Sequence, residues 1–165
     1  MKKNILHIIS YGVRGGAETF VVDLIKDQLL NTEVDHVYLI TYQMSKDTSN
    51  NIKIIHDNFY HYNIDYHNKL IFHFNVLYKI FLFLIKKRKQ IQIVNTHLLA
   101  GFHIAFIYRF FKNINFFHTV HNQAIKELGA NLYSFHHKVR AFYYRNINVI
   151  SISESVKKSV DDLYN

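Results

Sequence analysis

The chain has 165 residues, of which 49% are hydrophobic, so it is long enough for one domain with a single core and too short for a second complete domain of ordinary size. The formal net charge of +8 favours anionic partners, namely a phosphorylated small molecule, an anionic membrane face or nucleic acid, without choosing among them. There is no cysteine, which excludes disulfides and thiolate metal sites and is compatible with the cytoplasm.

The N-terminal stretch carries two lysines but does not continue as a secretory signal. The apolar run that follows is only Ile5–Ile9, it is interrupted by His7, and no small-residue cleavage site follows it. No stretch reaches the roughly 18 charge-free apolar residues of a membrane span. We therefore expect a cytoplasmic protein whose first strand begins almost at once.

Apolar runs of strand length alternate with helical patterns along the whole chain. The stretch 57–68 is aromatic and has no clear period, which we interpret as a loop or a short helix. The alternation predicts a doubly wound, mostly parallel, Rossmann-like α/β sheet flanked by helices, as a single domain over residues 1–165. In chain order, the predicted elements are strand Ile5–Ile9, helix Ala17–Leu30, strand Val34–Thr41, strand Ile52–His56, helix Leu70–Lys89, strand Ile91–Thr96, helix Gly101–Phe111, strand Asn115–Val120, helix Tyr133–Tyr144, strand Asn148–Ile152 and helix Glu154–Leu163.

The helix predicted at Leu70–Lys89 has two interpretations. It is apolar along much of its length and ends in the basic cluster 86–89, which is typical of a helix that lies on a membrane surface. The alternative is a crossover helix packed on the sheet, with a solvated last turn. Polar residues at His73, Asn75 and Lys79 recur on one side and favour the crossover helix.

Polar residues follow several of the predicted strands. In open α/β sheets, ligands bind outside the carboxyl ends of the strands, so these residues are the candidates for a site. Three histidines and two helix N-termini that favour anions are expected to converge there. The set comprises Ser10, Tyr11, Arg14, Gly15, Gly16, Thr41, Thr96, His97, His118, Thr119, His121, Asn122, Ser151, Ser153 and Glu154.

The loop Gly12–Gly16 joins the first strand to the first helix, where backbone N–H groups can approach an anion closely. Its spacing is neither the Gly-x-Gly-x-x-Gly dinucleotide motif nor a P-loop, and taken alone it could also be a plain tight turn. His97 and His121, taken one by one, fit a structural role as well as a catalytic one.

The residue pattern does not favour a metal site or a two-carboxylate hydrolase. His118 and His121 point to opposite faces of a strand, and the adjacent His136 and His137 diverge on a helix, so we expect no metal. Glu154 stands nearly alone among the strand ends, whereas glycoside hydrolysis uses a pair of carboxylates.

Four segments carry a family resemblance. Gly-Val-Arg-Gly-Gly-Ala-Glu-Thr spans 12–19, Ile-Val-Asn-Thr-His spans 93–97, Thr-Val-His-Asn spans 119–122 and Val-Ile-Ser-Ile-Ser-Glu-Ser spans 149–155. Together and in this order, they resemble the N-terminal, acceptor-side domain of glycosyltransferase family 4, whose members are retaining enzymes with the GT-B fold. The resemblance covers the whole chain.

The resemblance implies transfer of a sugar from a nucleotide-sugar donor to a saccharide or lipid-linked acceptor, without a metal or other cofactor, in surface-polysaccharide assembly. By position, His121 matches the family's active-site histidine, near the reacting carbon. Gly15 and Gly16 would contact the donor phosphates. Residues implied on the acceptor side are Arg14, His97 and Asn122, and those implied at the edge of the cleft or in helix capping are Ser153 and Glu154.

The family's second domain, with its Glu-x7-Glu donor motif, has no counterpart before Asn165. We expect a missing C-terminal domain or a separate donor-binding chain, and an isolated chain without activity. A peripheral contact with the anionic inner face of the membrane fits this setting. A non-catalytic module that binds a phosphorylated ligand or a protein partner is the alternative. Nucleic-acid binding is not expected, because the basic residues cluster at a helix end without a nucleic-acid motif.

Overall fold

The computed structural model describes residues 2–11, 15–43, 54–64, 71–123 and 135–164. In these ranges, six strands form one sheet in the order β3-β2-β1-β4-β5-β6, and every neighbouring pair is parallel. The strands are β1 (Lys3–Tyr11), β2 (Val34–Gln43), β3 (Phe59–Ile64), β4 (Ile93–His97), β5 (Asn115–Val120) and β6 (Asn148–Ser151). The α-helices of the described part of the chain are α1 (Gly16–Leu30), α2 (Phe72–Lys87), α3 (Ala100–Ile104), α4 (Phe135–Tyr144) and α5 (Glu154–Tyr164). The predicted doubly wound, Rossmann-like α/β class is confirmed.

Helices cover both faces of the sheet. On one face, α1 buries Val21 and Ile25 against Ile9, Val37 and Leu39. The other face carries the larger core, to which α2, α3, α4 and α5 all contribute; its members include Leu6, Ile8, Val76, Ile80, Val94, Ile104, Tyr143, Val156 and Val160. The near-continuous apolar character of β1 follows from this arrangement, because a central parallel strand is buried on both faces.

The third strand lies later in the chain than the sequence predicts. Residues 54–56 have no regular structure and Ile55 is fully exposed, so the strand predicted at Ile52–His56 is wrong over the part that the structure describes. The strand is instead Phe59–Ile64, within the stretch expected to be a loop or short helix. As an edge strand, β3 needs no continuous apolar run, and its Tyr60 stacks on Tyr38 of β2 with ring centroids 5.2 Å apart.

The helix predicted at Gly101–Phe111 is also shorter in the structure. Regular α-helix ends at Ile104, and a turn leads into a 3-10 segment at Tyr108–Phe110. Ile107 and Phe111 still reach the core, because the turn and the 3-10 segment preserve their spacing from Ile104. Phe106, in the turn, is 43% exposed.

Candidate active-site cleft

The order of the strands places a cleft at the carboxyl ends of β1 and β4. From β1, the chain adds β2 and then β3 on one side, and it crosses back to place β4 on the other side of β1. The direction of winding therefore reverses between β1 and β4. Ligand sites of open α/β sheets lie at this kind of switch point. An open cleft of about 390 Å³ lies there, and its lining includes Gly15, Gly16, Phe20, Leu98, His121, Asn122 and Ile152.

The glycine loop ends at this cleft. Gly15 is the N-cap of α1 in an extended conformation, and its N–H donates to Glu18 Oε2 at 3.1 Å. Glu18 is buried, so a carboxylate already occupies the amide of Gly15 at the helix N-terminus. Beside Gly16, no atom lies within 4 Å of the position that a Cβ would take. Arg14 falls outside the described residues.

A row of three histidine rings runs across the face of the sheet that α1 covers and ends at His121 on the cleft wall. His7 Nδ1 lies 3.1 Å from His97 Nε2, and His97 Nδ1 lies 2.9 Å from His121 Nε2. At the other end, His7 Nε2 is 2.8 Å from Oε1 of Gln28, on α1. The register pairs His97 with Ile9 and with Thr119, so His7 and His121 each lie two residues from the position opposite His97. The three rings therefore form a diagonal row on one face of the sheet.

Two rings of this row, those of His7 and His97, are held neutral. His7 and His97 are fully buried. Burial lowers the pKa of His7 from 6.5 to about 4, although the hydrogen bond with Gln28 opposes the shift. Burial also lowers the pKa of His97 well below its usual value, and the neighbouring histidines add to the effect. Neither ring carries a charge near neutral pH.

The backbone just after β4 is held in a strained conformation next to His97. Leu98 has φ 54°, in the left-handed region that side chains rarely adopt. The Oγ of Ser10 accepts the N–H of Leu99 at 3.1 Å, and Arg140 donates to the carbonyl of Leu98 at 3.4 Å. These two bonds fix the turn that places Leu98 against the cleft.

The predicted site residues Ser151, Ser153 and Glu154 lie beside the cleft and do not line it. Ser153 accepts the N–H of Val156 at 3.3 Å, which caps the start of α5 as its sequence predicts. Ser153 and Glu154 line a neighbouring groove with Lys157, while Ile152 reaches the cleft that contains His121.

His118 belongs to the opposite face of the sheet. Its Nδ1 lies 2.8 Å from Thr96 Oγ1, beneath the ring of Tyr144 on α4. The predicted divergence of His118 and His121 is therefore what the structure has. Among the residues that the structure describes, no group of three metal-ligating side chains is close enough to hold an ion.

His7 and Gln28, which form part of the row, were not candidates in the sequence. The same holds for three residues of the cleft lining, Phe20, Leu98 and Ile152. The rings of Phe20 and His121 pack edge to face, with centroids 5.2 Å apart. The available signal was His7 itself, a polar residue inside an otherwise apolar central strand, which must find a partner when it is buried. Gln28 had no signal beyond its position on the inner side of α1.

No family model matches the sequence, and a search of curated proteins finds no match. Among solved structures, the chain is similar to the apo form of the lipopolysaccharide outer core galactosyltransferase WaaB, with a TM-score of 0.69 and 13% sequence identity. The match covers 96% of this chain and 42% of that one, so the chain spans less than half of that protein's length. At this identity, what the two share is the fold: the parallel, Rossmann-like sheet of this chain recurs within a galactosyltransferase.

Proposed function

We propose that this chain is the acceptor-binding, N-terminal half of a retaining GT-B glycosyltransferase of family 4. It would transfer a sugar from a nucleotide-sugar donor to a saccharide or lipid-linked acceptor in surface-polysaccharide synthesis. The observation that carries the proposal is the convergence of His121, Asn122 and the N-terminus of α1 on one cleft at the switch point of the sheet. The fold shared with a lipopolysaccharide galactosyltransferase supports the same class of reaction.

The N-terminus of α1 would face the leaving group of this reaction. Negative charge builds on the diphosphate as its bond to the sugar breaks, and backbone N–H groups at a helix N-terminus offset that charge without a metal. Gly16 has the open space for such an approach. At Gly15, a phosphate oxygen would have to replace the carboxylate of Glu18 as the acceptor of the N–H.

The histidines would divide their roles by burial. His121 lies on the cleft wall, where it would contact the transferred sugar near the reacting carbon. Asn122 and Arg14 would lie on the acceptor side. His97 is fully buried with both ring nitrogens bonded to other histidines, so we assign it the support of His121 in place of direct contact with the acceptor.

A complete reaction would also need a donor-binding domain, on the same polypeptide or on a separate chain. Transfer depends on holding both substrates in one geometry, so residues 1–165 alone would have little activity. The test is sugar transfer from a panel of nucleotide sugars by the product of the native gene, with residues 1–165 alone as comparison. Transfer by the native product that needs its donor-binding part supports the proposal. Full transfer by residues 1–165 alone would contradict the assignment of donor binding to another domain or chain.

Replacement of His121 tests the site itself. We expect His121→Ala to lower transfer by more than about tenfold, roughly 1.4 kcal/mol of transition-state stabilisation. His56→Ala is the matched control, because His56 is exposed and is not among the residues that line the cleft. The measurement is kcat/KM, together with the unfolding midpoint of each variant. A smaller loss in a folded His121 variant would count against a catalytic role.

The alternative is a non-catalytic module of the same fold that binds a phosphorylated ligand or a protein partner. The cleft at the helix N-terminus would serve such a ligand equally well, because it offers backbone donors. Calorimetric binding of a nucleotide sugar or simple phosphate ester, with no transfer by the native gene product to any acceptor, would favour this alternative.

We further propose that the protein works at the cytoplasmic face of an anionic membrane, with α2 as the contact. The outer side of α2 exposes Ile71, Phe74 and Tyr78, and ends beside the exposed Lys86 and Lys89. No Asp or Glu occurs between Asp65 and Glu127. A hollow of about 840 Å³ beside the end of α2 is lined by Arg88, Lys89, Arg109 and Lys112. Exposed aromatic residues combined with unopposed cations are typical of interfacial helices.

No helix in the described ranges is both long and apolar enough to cross a membrane. Contact through α2 would therefore be peripheral.

A further inference from the structure

The row of histidines has a direction. In a neutral imidazole, one ring nitrogen carries the proton and donates, while the other accepts. The inner rings, His7 and His97, are neutral, so each of them must donate on one side and accept on the other. Once the first hydrogen bond of the row is oriented, every later one is oriented too.

Gln28 supplies that first orientation. Its Oε1, which can only accept, lies 2.8 Å from His7 Nε2, so His7 must carry its proton there. His7 Nδ1 then accepts from the Nε2–H of His97 at 3.1 Å. His97 Nδ1 in turn accepts from the Nε2–H of His121 at 2.9 Å. His7 and His97 are therefore Nε2–H tautomers, and His121 carries a proton at Nε2. In a neutral His121 ring, Nδ1 is then an acceptor.

We propose that Gln28 and His7 are positioning residues that, through His97, fix which nitrogen of His121 carries the proton. A neutral His121 is thereby held as an acceptor at Nδ1. Neither Gln28 nor His7 lines the cleft, so both act through the rings between them.

Burial explains why the hydrogen bonds of the row keep one common direction and do not reverse one at a time. His7 and His97 have no exposed surface and His121 is 8% exposed, so water cannot replace a protein partner that turns away. A reversed bond at one point would set two donors or two acceptors against each other in a buried place, which costs about 1–3 kcal/mol for each unsatisfied group. The two self-consistent states are the observed direction and its complete reverse.

The consequence for catalysis rests on the proposed function. With Nδ1 as an acceptor, His121 would receive a hydrogen bond from a hydroxyl group of the transferred sugar. In the reversed row, it would present an N–H to the same hydroxyl. The direction of the row therefore sets which hydrogen-bonding pattern of the sugar the cleft stabilises.

The test is nitrogen NMR of the protein labelled with ¹⁵N-histidine, near pH 7.5. The signals of His7, His97 and His121 are assigned by single replacements with Gln. In the wild-type protein, we expect all three rings to be protonated at Nε2 and unprotonated at Nδ1. A His121 ring protonated at Nδ1, or at both nitrogens, overturns the proposal, whatever happens in the variants.

Gln28→Lys reverses the hydrogen bond between residue 28 and Nε2 of His7, because an ammonium group can only donate. His121 should then switch from the Nε2–H to the Nδ1–H tautomer. Gln28→Met removes this hydrogen bond and should leave His121 as a mixture of the two tautomers. Leu30→Lys is the matched control, since it adds the same charge to α1 at a position that is 80% exposed, and should leave His121 unchanged. An unchanged His121 tautomer in a folded Gln28→Lys protein overturns the positioning role.

Failure of this inference is distinguishable from failure of the proposed function. The NMR result does not depend on sugar transfer. If the tautomers behave as expected and no transfer is found, the row stands and the glycosyltransferase proposal falls. If transfer is found while the tautomer of His121 ignores residue 28, the glycosyltransferase proposal stands and the positioning role falls.

Discussion

Gly16 and Gly101 differ in what lies beside the position that a Cβ would take. At Gly16, on the cleft, there is no atom within 4 Å. At Gly101, a Cβ would lie 2.8 Å from Nδ1 of His118, a buried ring that Thr96 holds in place. The first glycine therefore leaves room for a ligand, whereas the second allows α3 to pack closely on the sheet.

These surroundings predict opposite effects of the same substitution. Gly16→Ala should leave the free energy of unfolding unchanged or raise it by up to about 1 kcal/mol, because alanine favours the helix. It should raise the KM for the nucleotide sugar severalfold, because the methyl group occupies the proposed path of the phosphate. Gly101→Ala should lower the free energy of unfolding by about 1–3 kcal/mol through overpacking. Denaturant titration and steady-state kinetics measure the two effects, and an unaltered KM in Gly16→Ala would contradict a phosphate contact there.

The helix α2 has one side that packs on the sheet and one side that is exposed. Phe72, Val76, Ile80 and Leu84 recur every four residues and are buried against the sheet, so the predicted crossover helix is confirmed. The expected polar stripe is only partly present. His73 is half-buried and its Nδ1 lies 2.9 Å from Nε2 of His103, while Phe74 and Tyr78 are 73% and 61% exposed.

The exposed side of α2 predicts a membrane effect that leaves the fold intact. Phe74→Ser combined with Tyr78→Ser should abolish most flotation with vesicles that contain anionic lipid, with little change in the unfolding midpoint, because both rings lie outside the core. Leu30→Ser is the matched control, as it removes an equally exposed apolar residue from α1. Wild-type binding should weaken as salt rises and be absent on purely zwitterionic vesicles. Equal binding by the double variant would show that α2 is not the contact.

Elements differ in how well the sequence predicts them, and the reason is their place in the sheet. The central strand β1 has the apolar run that its burial requires, and the sequence predicts β5, which is also inside the sheet, with the bounds that it has. Strand β3 lies at the edge, where Tyr60 and Tyr62 face partly outward, so no apolar run marks it. The pairing with β2 that makes β3 a strand is tertiary, and propensity in the sequence does not contain it.

The same distinction applies to the site. His97 and His121 could be expected at one edge, because both end parallel strands. The contribution of His7 could not be expected, since it depends on β1 lying directly beside β4 and on the register that sets Nδ1 of His7 against Nε2 of His97. Gln28 joins the row only because α1 packs on that face of the sheet.

For the whole molecule, the buried row makes stability depend on pH. The folded state keeps His7 neutral down to about pH 4, whereas the unfolded chain binds a proton below about 6.5. The unfolded state thus takes up more protons in this window, and stability that is complete above pH 6.5 is lost as the pH falls towards 4. His7 alone accounts for about 3 kcal/mol, and His97 acts in the same direction.

The free energy of unfolding, measured by denaturant titration between pH 7.5 and 4, checks this dependence. His7→Asn should flatten the profile, because it removes the titrating ring and keeps a hydrogen-bonding side chain. His56→Asn, at an exposed position, should leave the profile as it is in the wild type. A profile of His7→Asn as steep as that of the wild type would show that the loss of stability has another origin.

The position of β1 in the sheet also bears on how the chain folds. β1 meets β2 through the short β1-α1-β2 unit, but its other neighbour, β4, begins only at Ile93, and the bond between His7 and His97 joins residues 90 positions apart. Contacts of such long sequence separation cost more loop-closure entropy and are formed slowly. We therefore expect the row of rings to be completed late in folding, after the β1-α1-β2 unit has formed. When the first ninety residues have emerged from the ribosome, His97, the partner of His7, has not yet emerged.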